Sequence, residues 1–150
     1  EGIEPRGRRV LLAGAGGAGA AIAFALAEAG VARLTVANRT IPRAADLAGR
    51  VAAAFPAVAA AAGPPDPAGH DLVVNATSLG LHDGDALPVD VAALDPATIV
   101  AEAIMKPEIT PLLARARDRG CPIHLGRHML DRQIELMLDF LGVTATARSG

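Results

Sequence analysis

At 150 residues, with 51% hydrophobic and 20% charged side chains, the chain has the length of one domain and enough apolar residues for a full core. Its formal net charge of −2 and the lack of a Lys/Arg cluster interleaved with aromatics make no case for a nucleic-acid surface, and no apolar run reaches the roughly eighteen residues of a membrane span. Cys121 is the sole cysteine, which rules out an internal disulfide and a cysteine-built metal site and suits a reducing compartment, the cytoplasm by default.

In chain order, residues 1–7, Glu-Gly-Ile-Glu-Pro-Arg-Gly, contain Pro5 and read as a linker into the first element. Residues 8–13, Arg-Arg-Val-Leu-Leu-Ala, form an apolar strand that runs into Gly14-Ala-Gly-Gly-Ala-Gly19 and then a helix over residues 17–29, stopped by Gly30. Gly14, Gly16 and Gly19 have the G-x-G-x-x-G spacing of a dinucleotide-binding turn. The first suits a tight turn, the second lets backbone approach a pyrophosphate, and the third lets helix meet strand. Gly14, Ala15, Gly16, Gly17 and Ala18 are therefore the expected pyrophosphate cradle, at a helix end that favours negative charge. An ordinary strand-to-helix corner is the competing reading. The preceding strand, the following helix and a second strand ending about twenty residues later weigh against it.

That second strand, residues 33–37, is apolar on both faces and ends in Asn38-Arg39-Thr40. NAD-preferring domains place Asp or Glu here for the ribose 2′-hydroxyl, whereas arginine accommodates a 2′-phosphate. Arg39 and Arg43 offer two guanidinium groups, and Asn38 and Thr40 add neutral donors, so NADP is the expected cofactor. The alternative, a solvated arginine pair, is unfavourable at the positive end of a helix unless an anion compensates.

A helix over residues 42–55 follows, with Pro42 in its first turn. Residues 57–62 supply a short third strand, 63–69 a proline-rich surface loop, and 71–78 a buried strand opening into a polar turn. There Asn75, Thr77 and Ser78 can face a ligand or satisfy local backbone groups, and both roles stand. Residues 80–96 read as loop with a helical turn near Val91, 98–104 as a strand, and 111–119 as a helix capped by Thr110 and begun by Pro111. Residues 122–125 are a last strand and 128–141 an amphipathic helix. This alternation implies an α/β fold over residues 8–142, a doubly wound, Rossmann-like parallel sheet of about six strands with flanking helices, followed by a tail over 143–150.

Three stretches, Gly-Ala-Gly-Gly-Ala-Gly (14–19), Asn-Arg-Thr-Ile-Pro-Arg (38–43) and Asn-Ala-Thr-Ser-Leu-Gly (75–80), together resemble the C-terminal cofactor domain of the shikimate dehydrogenase family. Pro107-x-x-Thr110-Pro111-Leu112-Leu113 and Gly126-x-x-Met129-Leu130-x-x-Gln133 continue the resemblance in order and spacing. It implies reversible hydride transfer between NADP(H) and a cyclic hydroxy or keto acid such as shikimate or quinate, within aromatic amino acid biosynthesis. It implies that Asn38 to Arg43 hold the 2′-phosphate, that Ala103 and Gly126 line the nicotinamide, and that Gln133 and the position of Met105 meet the substrate. The family usually has Tyr where Met105 stands, a departure that points to a divergent member acting on quinate or another cyclic polyol.

The family's catalytic Lys and Asp belong to an N-terminal substrate domain, so the resemblance places no catalytic residue in this chain and makes that domain its expected partner. Lys106, the only lysine, reads as solvated charge or a contact to ligand or neighbouring domain. A homodimer stays open. The rival of another class is a non-catalytic NADP(H)-binding or sensing module. A glutamyl-tRNA reductase cofactor domain, which shares the Asn-Arg-Thr ending, is a third and weaker alternative.

Overall fold

The computed structural model describes residues 4–82 and 84–127. Within them lie strands β1 (Arg9–Ala13), β2 (Arg33–Ala37), β3 (Ala59–Ala62), β4 (Leu72–Asn75), β5 (Ile99–Glu102) and β6 (Ile123–His124). Helices α1 (Gly17–Glu28), α2 (Ile41–Ala54) and α3 (Pro111–Asp118) alternate with them, and a single 3-10 turn covers Val91–Ala93. All six strands join one parallel sheet in the order β3-β2-β1-β4-β5-β6. The chain thus works outward from β1 in one direction, crosses back, and works outward from β4 in the other. The doubly wound fold expected from the sequence is the one observed.

The central strands are covered on both sides and mostly apolar, whereas the edge strand β3 is largely exposed. Val10 and Leu12 of β1 face one layer with Ile22, Ala23 and Ala27 of α1 and Leu47, Ala48 and Val51 of α2. Leu11 and Ala13 face the other, with Leu112, Leu113 and Ala116 of α3. Adjacent residues on one strand therefore enter opposite cores, as the period of two requires. Alanine stands at 34 of the 150 positions and lets helices lie close to the sheet. Phe24 and Phe55 meet with ring centroids 6.3 Å apart, joining α1 to the end of α2. Between β1 and β4, Asp71 accepts from the Arg9 backbone amide at 2.8 Å and from its guanidinium at 3.0 and 3.2 Å, contacts that hold its carboxyl down at about 2.

Boundaries moved by one to three residues from the sequence reading, for identifiable reasons. Strand β4 ends at Asn75 rather than 78 because the Asn75 side chain captures the Thr77 amide at 3.0 Å, so the backbone turns there. Helix α3 starts as expected, with the Thr110 hydroxyl accepting from the Leu113 amide at 3.3 Å. The helix expected over 128–141, the tail over 143–150 and Gln133 lie outside the described residues.

Gly19 carries a structural demand. A Cβ at this position in α1 would collide with the Gly14 carbonyl, because helix and loop touch there. Gly19→Ala is expected to lower stability by about 1–3 kcal/mol through this overpacking, read as a drop in the thermal midpoint by circular dichroism.

Candidate functional site

The order of strands reverses between β1 and β4, and in open α/β sheets the crevice beyond the carboxyl ends of such strands is where ligands bind. A cleft of about 690 Å³ opens there, walled by Gly14, Ala15 and Gly16 after β1, by Asn38 and Arg39 after β2, and by Thr77 and Ser78 after β4. A hollow of about 510 Å³, sharing Ala15 and Gly16 with the cleft, is also lined by Gly17, Arg43 and Arg50. The first three loops singled out from sequence are thus neighbours in space.

The glycines divide the work as their spacing implies. Gly14 has φ +112°, a backbone that L side chains rarely adopt, and a Cβ on it would lie 2.7 Å from the Ala76 carbonyl group. It draws the β1 loop against the β4 turn. Gly16, the N-cap of α1, and Gly17 have nothing within 4 Å of the place a Cβ would take, so their surface is open to the cleft. No side chain caps α1 and no acidic residue stands in its first turn, which leaves the amides of Gly17, Ala18 and Gly19 for an outside acceptor. Cradle and open amides fit a pyrophosphate.

Asn38 holds this loop from the side. Its Oδ1 accepts from the Ala15 amide at 3.2 Å while its Nδ2 donates to the Thr40 carbonyl at 3.0 Å, so one side chain ties the β2 turn to the glycine loop. Its role is to shape the cradle more than to offer a free donor. Thr40 is the N-cap of α2 but makes no side-chain cap bond, and Arg39, Thr40 and Arg43 are exposed. The first turn of α2 has no acid, so two cations stand at its positive end. Further along, Asp46 pairs with Arg50 at 3.0 Å rather than with Arg43.

The two roles left standing for the β4 turn now separate by residue. Asn75 is fully buried and cannot face the cleft. Its Oδ1 accepts from the Thr77 amide and, at 2.6 Å, from the Thr77 hydroxyl, and its Nδ2 donates to the Leu79 carbonyl at 3.1 Å. Thr77 both lines the cleft and serves the turn, since its hydroxyl also accepts from the Leu79 amide at 3.0 Å. Ser78 is exposed on the cleft wall. Beyond them, Asp85 accepts from the amides of Gly80 and His82, which holds its carboxyl below the ordinary range.

At the end of β5 lies a residue whose part the sequence reading missed. Glu102 is fully buried, and its carboxylate accepts from Asn75 Nδ2, from the Ala103 and Ile104 amides and from the Thr110 hydroxyl, at distances from 2.9 to 3.1 Å. Burial pushes its carboxyl above the ordinary range, and the hydrogen bonds oppose that shift. One acid inside the apolar run 98–104 is the signal that the sequence offers. Among the described residues it forms no ion pair with Lys106, and Glu108 instead lies 3.6 Å from Arg127.

Gly126 and Ala103, expected to share a wall, do come together. A Cβ on Gly126 would lie 3.1 Å from the Ala103 carbonyl carbon and 2.7 Å from that of Ile104. Met105 follows, 43% exposed, and Lys106-Pro107 is a cis peptide. Pro65, Ala86 and Pro88, which also line the main cleft, were read as plain loop because nothing local in those segments announces a wall.

Residues 3–79, just over half the chain, match the family model described as shikimate / quinate 5-dehydrogenase. The shikimate dehydrogenase (NADP(+)) of Rubrobacter xylanophilus is 44% identical over 154 residues, covering 96% of this chain and 49% of that protein. Among solved structures, the ligand-free 5-ketofructose reductase of a Gluconobacter strain superposes with a TM-score of 0.82 at 36% identity, over 95% of this chain and 53% of that one. Shikimate 5-dehydrogenase from Thermus thermophilus, in complex with NADP(H) and shikimate, gives 0.74 at 35% identity, over 85% and 46%. The chain spans about half the length of the curated relatives it matches. Match, fold and cleft agree, and the chain belongs to the shikimate/quinate dehydrogenase family.

Proposed function

We propose that this chain is the NADP-binding half of a shikimate dehydrogenase-like oxidoreductase. The observation that carries the reading is that uncapped helix amides at a glycine cradle stand beside Arg39 and Arg43, with no carboxylate at the end of β2 and the one acid lining the hollow, Asp46, paired with Arg50. Gly14 to Ala18 receive the pyrophosphate, Arg39 and Arg43 with Thr40 receive the 2′-phosphate, and Asn38 fixes the loop between them. Thr77 and Ser78 form the facing wall, and Ala103 and Gly126 border the nicotinamide. NADP(H), when bound, supplies or accepts the hydride.

The substrate is a cyclic hydroxy or keto acid of the shikimate or quinate kind, met by Met105 and by Gln133 and completed by a substrate domain that brings the proton-transfer pair. Met105 puts a thioether where the family's phenol would be, which favours quinate or another cyclic polyol over shikimate. The family resemblance and the relatives named above support this reading. A cytoplasmic setting fits the single buried thiol, Cys121.

Titration with NADPH and NADH, followed by nicotinamide fluorescence, tests the cofactor assignment without interference because the chain has no Trp. NADPH is expected to bind more tightly. Each charge-assisted contact to phosphate is worth about 1.5–3 kcal/mol, so Arg39→Ala should weaken NADPH about ten- to hundredfold and barely change NADH. Equal losses for the two cofactors would refute a 2′-phosphate site at Arg39.

A further inference from the structure

We propose that Glu102 is a positioning residue, which holds the turn after β5 in the shape that receives the nicotinamide half of the dinucleotide. The inference rests on the cofactor reading above and assigns a part to a residue that touches no cofactor.

An ionised carboxylate only accepts hydrogen bonds, with two oxygens and about four lone-pair sites. Glu102 uses that capacity to collect donors from three separate segments. Asn75 Nδ2 comes from the β4 turn, at 2.9 and 3.1 Å to the two oxygens. The Ala103 and Ile104 amides, at 3.0 and 3.1 Å, belong to the turn that follows Glu102 itself. The Thr110 hydroxyl, at 2.9 Å, belongs to the cap of α3. The same Asn75 amide nitrogen reaches the Leu79 carbonyl, so the carboxylate is coupled through one side chain to the Thr77–Leu79 wall of the cleft.

The turn is gripped from two sides. The Glu102 carboxylate takes its amides, and Gly126 lies against the Ala103 and Ile104 carbonyl groups so closely that a Cβ there would collide with the Ile104 oxygen. Half-buried Ala103 and exposed Met105 are what this turn presents outward. If only core stability were needed, an apolar side chain in this position would serve without the cost of burying a charge. Directing the two amides is what a carboxylate adds.

The sheet supplies the means to test this. From β2, which ends two residues before Arg39, to β5 is three strand steps through β1 and β4, or about 14 Å at about 4.8 Å per step. A change at Glu102 should therefore reach the nicotinamide end and spare the adenosine end. A turn no longer held in its binding shape must be ordered when ligand arrives, and that cost appears as lost affinity.

The experiment measures binding of two ligands, NADPH and adenosine 2′,5′-bisphosphate, which lacks the nicotinamide half, to wild type and Glu102→Gln, with thermal unfolding recorded for both. The glutamine keeps the size but turns one acceptor into a donor facing donors. NADPH affinity is expected to fall about five- to tenfold and that for the bisphosphate to stay within about twofold. Equal losses for both ligands, or no loss, would overturn the proposal. Should Glu102→Gln not fold, Thr110→Val removes one buried donor of the same network and is expected to show the same split at about two- to threefold, with Thr110→Ser restoring wild-type binding. A Thr110→Val protein that binds both ligands like wild type also overturns it. Wild type that binds neither ligand would instead sink the cofactor reading beneath.

Discussion

Gly16→Val is expected to abolish NADPH binding while leaving the chain folded. Gly16 is the N-cap of α1 with φ −80°, a backbone that valine adopts, and no atom lies within 4 Å of the place its Cβ would take. The only loss within the fold is N-cap preference, about 0.5–1 kcal/mol at most on going from glycine to a β-branched residue. The methyl groups, however, would project into the space between the amides of Gly17 and Ala18 and an approaching pyrophosphate. Two or more charge-assisted hydrogen bonds at about 1.5–3 kcal/mol each would be stretched beyond use, a loss of more than about a hundredfold in affinity. Fluorescence titration with NADPH beside a circular dichroism melt separates the two effects. Gly19→Ala should give the opposite pattern, a weaker fold with an accessible cradle. A Gly16→Val protein that melts near wild type and binds NADPH normally would show the glycine loop to be only a structural corner.

The 150-residue chain by itself is expected to form no detectable NADPH from NADP+ with shikimate, quinate or related polyols. Oxidation of a secondary alcohol needs a group within hydrogen-bond reach to take the hydroxyl proton, worth about a hundred- to ten-thousandfold in rate, and a held substrate geometry worth several kcal/mol more. The described candidates do not meet the first need. Glu102 is fully buried with its oxygens taken by four donor groups, and Glu108 lies 3.6 Å from Arg127. His124 stands within β6 in register with Ala101, as part of the sheet rather than of the exposed turn that carries Met105. Lys106 is exposed beside Met105 and is not among the residues that wall the main cleft. His128 lies outside the described residues. Absorbance at the reduced-nicotinamide band decides the matter. Turnover by the 150-residue chain would overturn this account of where the proton goes, and Lys106→Ala would then identify the base.

Much of this was legible in one dimension because its causes are local. A parallel strand covered on both faces is an apolar run whatever its neighbours, so β1, β2, β4 and β5 were recognisable from Val, Leu, Ile and Ala alone. Thr110 before Pro111 announced a helix start because capping involves only the next three residues. The glycine spacing and the Arg39/Arg43 pair were readable for the same reason, each being a short stretch whose chemistry does not depend on distant contacts.

Tertiary structure alone decided which residues meet. The order β3-β2-β1-β4-β5-β6 rests on pairings between segments tens of residues apart, and it sets the glycine loop against Ala76 and Thr77. Asn75, Thr77 and Ser78 looked equivalent in sequence, yet the first is sealed in the sheet between Ala13 of β1 and Glu102 of β5, while Ser78 remains on the cleft wall. Glu102 gained its meaning only when Asn75 and Thr110 arrived from other segments, since a buried carboxylate is defined by donors that the linear chain keeps 27 and 8 residues away. Local propensity and spacing thus determined the elements, the glycine turn and the arginine pair at the start of α2. Packing determined which polar groups face a ligand and which only hold the others in place, because burial and hydrogen-bond partnership are properties of the neighbourhood and not of the residue.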